Sequence, residues 1–155
     1  MLFLHGNASS ATWWEENLVA LPEGYRGIAP DQRGFGDADP AKQVDATRGP
    51  GDWADDAVGL LDHLGIERAH VVGCSLGGCV VWYMLREYPE RFHTASLVNA
   101  GSPFGFGGTR DVDGTPCYDD YAGSGGGLSN PEFIKRLAEG DRGLDSQFSP
   151  RAAMR

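Results

Sequence analysis

The sequence is short of several things, and each shortage excludes something. No apolar run approaches the ~20 residues that a membrane-spanning helix needs. The opening Met1-Leu2-Phe3-Leu4-His5-Gly6 has no basic region before its apolar stretch, and that stretch is too short for a secretory signal. A cytoplasmic location is therefore expected, with no membrane partner. Lysine and arginine are outnumbered, 13 against 22 acidic residues, for a net charge of −9. Nucleic-acid backbones are held by clustered cations, so no nucleic-acid partner is expected. Cysteine is scarce: Cys74, Cys79 and Cys117 are an odd number without regular spacing, which does not form a disulfide framework. No Cys-x-x-Cys or His-x-x-x-His pair suggests a metal, and no cofactor is expected. Cys74 and Cys79 sit in apolar, glycine-rich surroundings that suit inert buried thiols. No internal repeat is visible.

What is present is 155 residues, enough for a sizeable core, with an ordinary apolar share of 41%. The apolar pattern alternates between short runs and helical stripes. Residues 2–5 predict a strand entering a turn at His5-Gly6. Thr12 and Glu15 have capping-box spacing, and Trp14, Leu18 and Leu21 recur at helical intervals until Pro22 and Gly24. Residues 25–30 predict a second strand, followed by a Gly-, Asp- and Pro-rich loop over 32–51. Asp52 is the expected cap of a helix presenting Ala57, Leu60, Leu61 and Leu64, with Gly65 as a left-handed stop. Residues 70–73 predict a third strand, apolar enough to be covered on both faces. A helix follows from Leu76 to Tyr88, and residues 94–98 predict a fourth strand. Alternation of this kind gives an α/β fold with right-handed crossovers and a parallel sheet of about four strands flanked by helices. Ligand sites in such sheets lie at the carboxyl ends of the strands, where His5, Asp31, Ser75 and Asn99 fall. Beyond Gly101 the core periodicity stops. Asn130-Pro131 predicts a helix to about Glu139, and Ser149-Pro150 opens another.

The motif with chemical content is Gly73-Cys74-Ser75-Leu76-Gly77. Gly-x-Ser-x-Gly between a strand and a helix describes a sharp turn with a strained, exposed serine at its tip. The flanking glycines remove Cβ atoms that the turn cannot accommodate. The helix amino terminus places a positive dipole beneath the serine. A serine attacking a carbonyl also needs donors for the developing oxyanion. The amide of Leu76 supplies one, and the amide of Asn7 in His5-Gly6-Asn7 is placed to supply the other. Asp31 and Arg33 are expected to pair and stiffen the 31–36 turn. Asp55-Asp56 and Asp119-Asp120 read as solvated carboxylates rather than a catalytic pair. His63 ends a helix, and His70 and His93 fall at the amino ends of strands, away from Ser75, so none of them suits the role of base.

His5-Gly6-Asn7, Asp31-Gln32-Arg33-Gly34-Phe35-Gly36 and Gly73-Cys74-Ser75-Leu76-Gly77-Gly78, in this order, resemble the α/β-hydrolase superfamily. Tyr88-Pro89-Glu90-Arg91-Phe92 and Leu97-Val98-Asn99 extend the likeness, which covers roughly residues 2–102. The resemblance implies a partial α/β-hydrolase core over 1–102 and the start of a lid over 103–155. It implies Ser75 as nucleophile, Asn7 and Leu76 as the oxyanion hole, and a small-molecule acyl substrate. It also implies an eight-stranded sheet in a longer protein, with two strands before Met1 and the triad histidine and acid beyond Arg155. The chain departs from the pattern at Asn99, where some relatives carry a carboxylate, and at Cys74, often histidine. Serine rather than aspartate at position 75 argues against epoxide hydrolase and haloalkane dehalogenase chemistry. Carboxylic ester hydrolysis leads. Carbon–carbon bond hydrolysis, aminopeptidase, perhydrolase and lipase activities, or a non-catalytic binding module, are the alternatives. A partial sheet has bare edges, so the isolated chain is expected to aggregate.

Overall fold

A computed structural model describes residues 1–101, 103 and 131–153. The chain divides into two compact units, Met1–Pro103 and Phe104–Arg155. Much of the stretch read as a lid, residues 104–130, lies outside the described residues, as does Cys117.

In the first unit the elements run β1 (Leu2–Leu4), a 3₁₀ turn (Ala11–Trp14), α1 (Glu15–Val19), a second 3₁₀ turn (Ala46–Arg48), α2 (Gly51–His63), β2 (Ala69–Cys74), α3 (Leu76–Glu87), a third 3₁₀ turn (Pro89–Arg91) and β3 (Phe92–Val98). The three strands form one parallel sheet in the order β1-β2-β3, with Leu2 opposite Val71, Leu4 opposite Gly73 and Cys74 opposite Val98. This is a parallel α/β sheet of three strands, one fewer than the four expected.

Side-chain alternation along β1 sorts the two faces. Leu2 and Leu4 join Ala57, Leu61, Val71, Val80, Val81 and Met84 in the core beneath α2 and α3. Phe3 points the other way and meets the Trp14 ring at 5.2 Å. β2 is less evenly covered than its apolar sequence suggested. Ala69, Val71 and Gly73 are buried, while His70, Val72 and Cys74 on the opposite face are half-buried.

The expected second strand over 25–30 forms only a single parallel bridge, Leu2 to Ile28. Two bonds hold it: Phe3 N–H donates to the Ile28 carbonyl (2.8 Å) and Ile28 N–H to the Met1 carbonyl (2.9 Å). Pairing stops there because Pro30 has no N–H and Gly27 contributes no side chain to the sheet.

Two helix starts also differ from the sequence pattern. No side-chain cap forms at Ser10, and the Thr12 hydroxyl bonds Ser10 Oγ instead (2.6 Å), so the capping box is absent. α2 begins at Gly51, one residue before Asp52, and its flanking Pro50 has no capping side chain. Asp52 therefore lies inside the first turn, where it accepts the Asp45 amide (2.8 Å) and pairs with Arg48. Gly65 behaves as expected: at φ +65° it closes α2, with Ile66 N–H bonding the Leu61 carbonyl and Gly65 N–H the Asp62 carbonyl, a Schellman pattern.

In the second unit, α4 (Pro131–Ala138) and α5 (Pro150–Ala153) follow the two proline starts. Arg136 reaches Glu132 (2.8 Å) and Asp141 (2.9 Å). The buried Ser149 hydroxyl donates to the Gly143 carbonyl and accepts the Ala152 amide, capping α5.

Candidate active site

The sheet topology determines where a ligand could bind. β1 connects through α1 to the Ile28 bridge on one side, whereas β2 connects through α3 to β3 on the other. Neighbouring strands whose connections diverge open a crevice at their carboxyl ends. The residues after β1 are His5-Gly6-Asn7, and those after β2 are Ser75-Leu76.

Ser75 is the whole turn between β2 and α3. It is exposed, with φ +52° and ψ −113°, a conformation costly for any residue with a Cβ. Its amide donates to the Val98 carbonyl (3.0 Å), and its carbonyl accepts Gly78 and Cys79 N–H. The hydroxyl makes no cap bond to the helix it precedes. Gly73 and Gly77 permit so abrupt a turn. A Cβ on Gly77 would lie 2.2 Å from the Leu4 carbonyl oxygen, and one on Gly73 would lie 2.3 Å from that of Gly77.

Gly6 lies against the serine: a methyl added there would be 3.2 Å from Ser75 Cβ and 3.8 Å from Oγ. Asn7 is exposed beside it. Leu76 is the first residue of α3, so its amide has no intrahelical acceptor. The structure thus brings Ser75, Leu76 and the 5–7 loop to one place on the sheet edge.

His5 is fully buried and already engaged. Nε2 accepts the Gln32 backbone N–H (3.1 Å), and Nδ1 lies 2.8 Å from the Gly6 carbonyl. Neither ring nitrogen is left for the serine. The other histidines are distant. His70 and His93 are second in their strands, where their tilted rings lie 5.1 Å apart, about 13–16 Å of strand away from the carboxyl edge. His63 is the last residue of α2. Burial pushes the Cys74 thiol up, which disfavours its nucleophilic thiolate.

The 31–37 turn is held differently from the expected Asp31–Arg33 pair. Asp31 accepts the Ala11 amide (2.6 Å) and the Asp37 amide (2.8 Å), and these bonds hold its carboxyl below the usual range. Arg33 instead forms a two-pronged pair with Asp56 (2.6 and 2.8 Å). Asp55 takes Arg48 (2.6 Å) and the Tyr88 hydroxyl (2.6 Å). Asp55-Asp56 is therefore ion-paired as well as solvent-exposed. The sequence placed Gln32 in the Asp31-to-Gly36 motif but gave it no role; its side-chain amide donates to the His5 carbonyl (2.7 Å). Its partner is 27 residues away, and no spacing rule connects them.

A cleft of about 560 Å³ runs between the 31–42 loop and α2, lined by Gln32, Arg33, Trp53 and Leu60 among others. Ser75, Asn7 and Leu76 do not line it. Among the described residues no trio of His, Cys, Asp or Glu is arranged to hold a metal, and no helix is long and apolar enough to cross a membrane.

Residues 1–114 match the α/β hydrolase fold family. One relative, epoxide hydrolase 2 of Siraitia grosvenorii, is 40% identical over 110 residues, which are 67% of this chain and 32% of that protein. Among solved structures, a serine hydrolase from the polyaromatic-hydrocarbon-degrading bacterium Cycloclasticus zankles is 36% identical with a TM-score of 0.61, over 70% of this chain and 40% of that one. A thermophilic esterase from Thermogutta terrifontis is 32% identical with a TM-score of 0.59, over 64% of this chain and 36% of that one. The chain spans about a third of the length of the curated relatives it matches.

Proposed function

The chain belongs to the α/β-hydrolase fold family, and from that premise we propose that it is the nucleophile-bearing part of a serine hydrolase acting on a small carboxylic ester. The observation that carries this reading is Ser75 itself: exposed, in a strained turn between strand and helix, with its hydroxyl spent on no cap. Likeness to an epoxide hydrolase does not extend to the reacting atom. Opening an epoxide through an ester intermediate needs a carboxylate nucleophile, and the tip of this turn is a hydroxyl.

In the proposed reaction, Ser75 Oγ attacks the ester carbonyl carbon and gives up its proton to a histidine that lies outside these 155 residues, oriented by an acid also outside them. The oxyanion accepts the N–H groups of Asn7 and Leu76, aided by the positive end of α3. Collapse of the tetrahedral adduct releases the alcohol and leaves acyl-Ser75, which water hydrolyses. One oxyanion donor of this kind is worth ~10²–10³ in kcat.

The test is hydrolysis of 4-nitrophenyl acetate by a protein carrying this segment together with the remainder of the fold, compared with its Ser75→Ala variant. The expected loss is at least ~10⁴-fold. Turnover surviving that substitution would overturn the assignment.

A further inference from the structure

We infer that Gln32 is a positioning residue for the oxyanion loop, acting through the ring of His5. The inference rests on the acyl-transfer reading, which gives the Asn7 amide its purpose.

The argument begins with the His5 tautomer. Nε2 accepts the backbone N–H of Gln32, so it carries no proton. The ring proton is then on Nδ1, and its partner, the Gly6 carbonyl, can only accept. His5 Nδ1–H therefore donates to Gly6 O at 2.8 Å.

That carbonyl shares a peptide unit with the Asn7 N–H. The Gly6–Asn7 peptide is trans, so its C=O and N–H point in opposite directions. Drawing the Gly6 oxygen toward the buried ring turns the Asn7 N–H toward the exposed side of the loop. Among the described residues that N–H has no acceptor. Gly6 itself lies against Ser75, so the orientation is set where the serine stands.

Gln32 secures His5 at two points. Its main chain holds the ring at Nε2, and its side chain donates to the His5 carbonyl at 2.7 Å. Gln32 is only 5% exposed, and its Oε1 is buried with no partner among the described residues. Only the donor half of this amide is used. The bonded half is the donor, and it is spent on the His5 carbonyl. Asp31, one residue earlier and tied to the Ala11 and Asp37 amides, fixes the turn from which Gln32 projects.

The experiment uses the 155-residue chain labelled with ¹⁵N. In the wild type, imidazole ¹⁵N–¹H spectra are expected to show His5 in the Nδ1–H form alone, with a scalar coupling across the bond from the Gln32 amide nitrogen to His5 Nε2. A protonated Nε2, or no coupling, would overturn the clamp. In Gln32→Met, which keeps the length and loses the donor, the Asn7 N–H order parameter is expected to fall from a rigid value near ~0.85 to below ~0.6. Val80 and Met84 in α3 should keep theirs. An unchanged Asn7 beside an intact α3 would also overturn the clamp. Should the variant lose order throughout, the wild-type tautomer and coupling decide the matter. Activity that survives Ser75→Ala would defeat the acyl-transfer reading without altering these spectra, and the reverse holds too.

Discussion

At Ser75 the backbone is held where a side chain is unwelcome. A non-glycine residue at φ +52°, ψ −113° stores about 1–3 kcal/mol of strain, maintained by the packing around it. Glycine relieves that strain at some cost in unfolded-state entropy. Ser75→Gly should therefore raise the unfolding free energy by about 1 kcal/mol in urea denaturation, and equal or lower stability would show the turn to be relaxed. The neighbouring glycines should behave oppositely. Gly77→Ala puts a methyl into the Leu4 carbonyl, fixed by the β1–β2 ladder, and the His5 carbonyl, held by Gln32. Overpacking against backbone should cost about 3 kcal/mol or more, read in the same denaturation series. This motif was legible in the sequence because its requirement is local: three closely spaced residues and a change of period from strand to helix. The Gln32–His5 clamp was not legible, because it joins loops 27 residues apart through a backbone amide that any residue would offer.

At the scale of elements, α2 and the 31–37 turn carry separate, testable contributions. Gly59 lies mid-helix on the exposed face of α2, with nothing within 4 Å of an added Cβ. Gly59→Ala should stabilise the chain by about 0.5–1 kcal/mol through helix propensity alone. A loss there would mean that α2 is not the helix described. The turn depends on a carboxylate. Asp31 is held below its ordinary 3.8, mainly by the Ala11 and Asp37 amides. A depressed folded-state value means stability that is fully present above about 3.8 and is lost as pH falls through the lower folded value. Unfolding followed from pH 6 down to pH 2 should show this acid loss, and Asp31→Asn should shrink it. Asp55, held low by Tyr88 and Arg48, adds to the same limb. Here the sequence pattern misled: Asp31 and Arg33 are two residues apart and opposite in charge, yet Arg33 turns to α2 and Asp31 to main-chain amides. Long-range partners with fixed geometry outcompete a neighbour that the turn points elsewhere.

For the whole molecule, no histidine of the four stands within reach of Ser75, and His5 spends both ring nitrogens on the loop. The 155-residue chain should hydrolyse 4-nitrophenyl acetate at the background rate, unchanged by Ser75→Ala. A higher rate that vanishes in the variant would reveal an unrecognised base. β3 is the edge of the described sheet, mostly exposed along Phe92–Val98 and without charge or proline. Such an edge invites pairing with another chain. Sedimentation should show association rising with concentration, and Ser96→Lys should weaken it.

By itself the sequence determined the alternation of parallel strands and helices, the proline and glycine punctuation, and the serine at the head of α3. Each of these follows from steric rules acting within about ten residues. The tertiary structure alone decided that residues 25–30 contribute one bridge rather than a strand, that Arg33 belongs to Asp56, and that the His5 ring bonds Gly6 and Gln32. Those outcomes depend on which hydrogen-bonding groups meet after the chain has crossed the sheet, and a buried donor or acceptor takes whatever partner the packing presents.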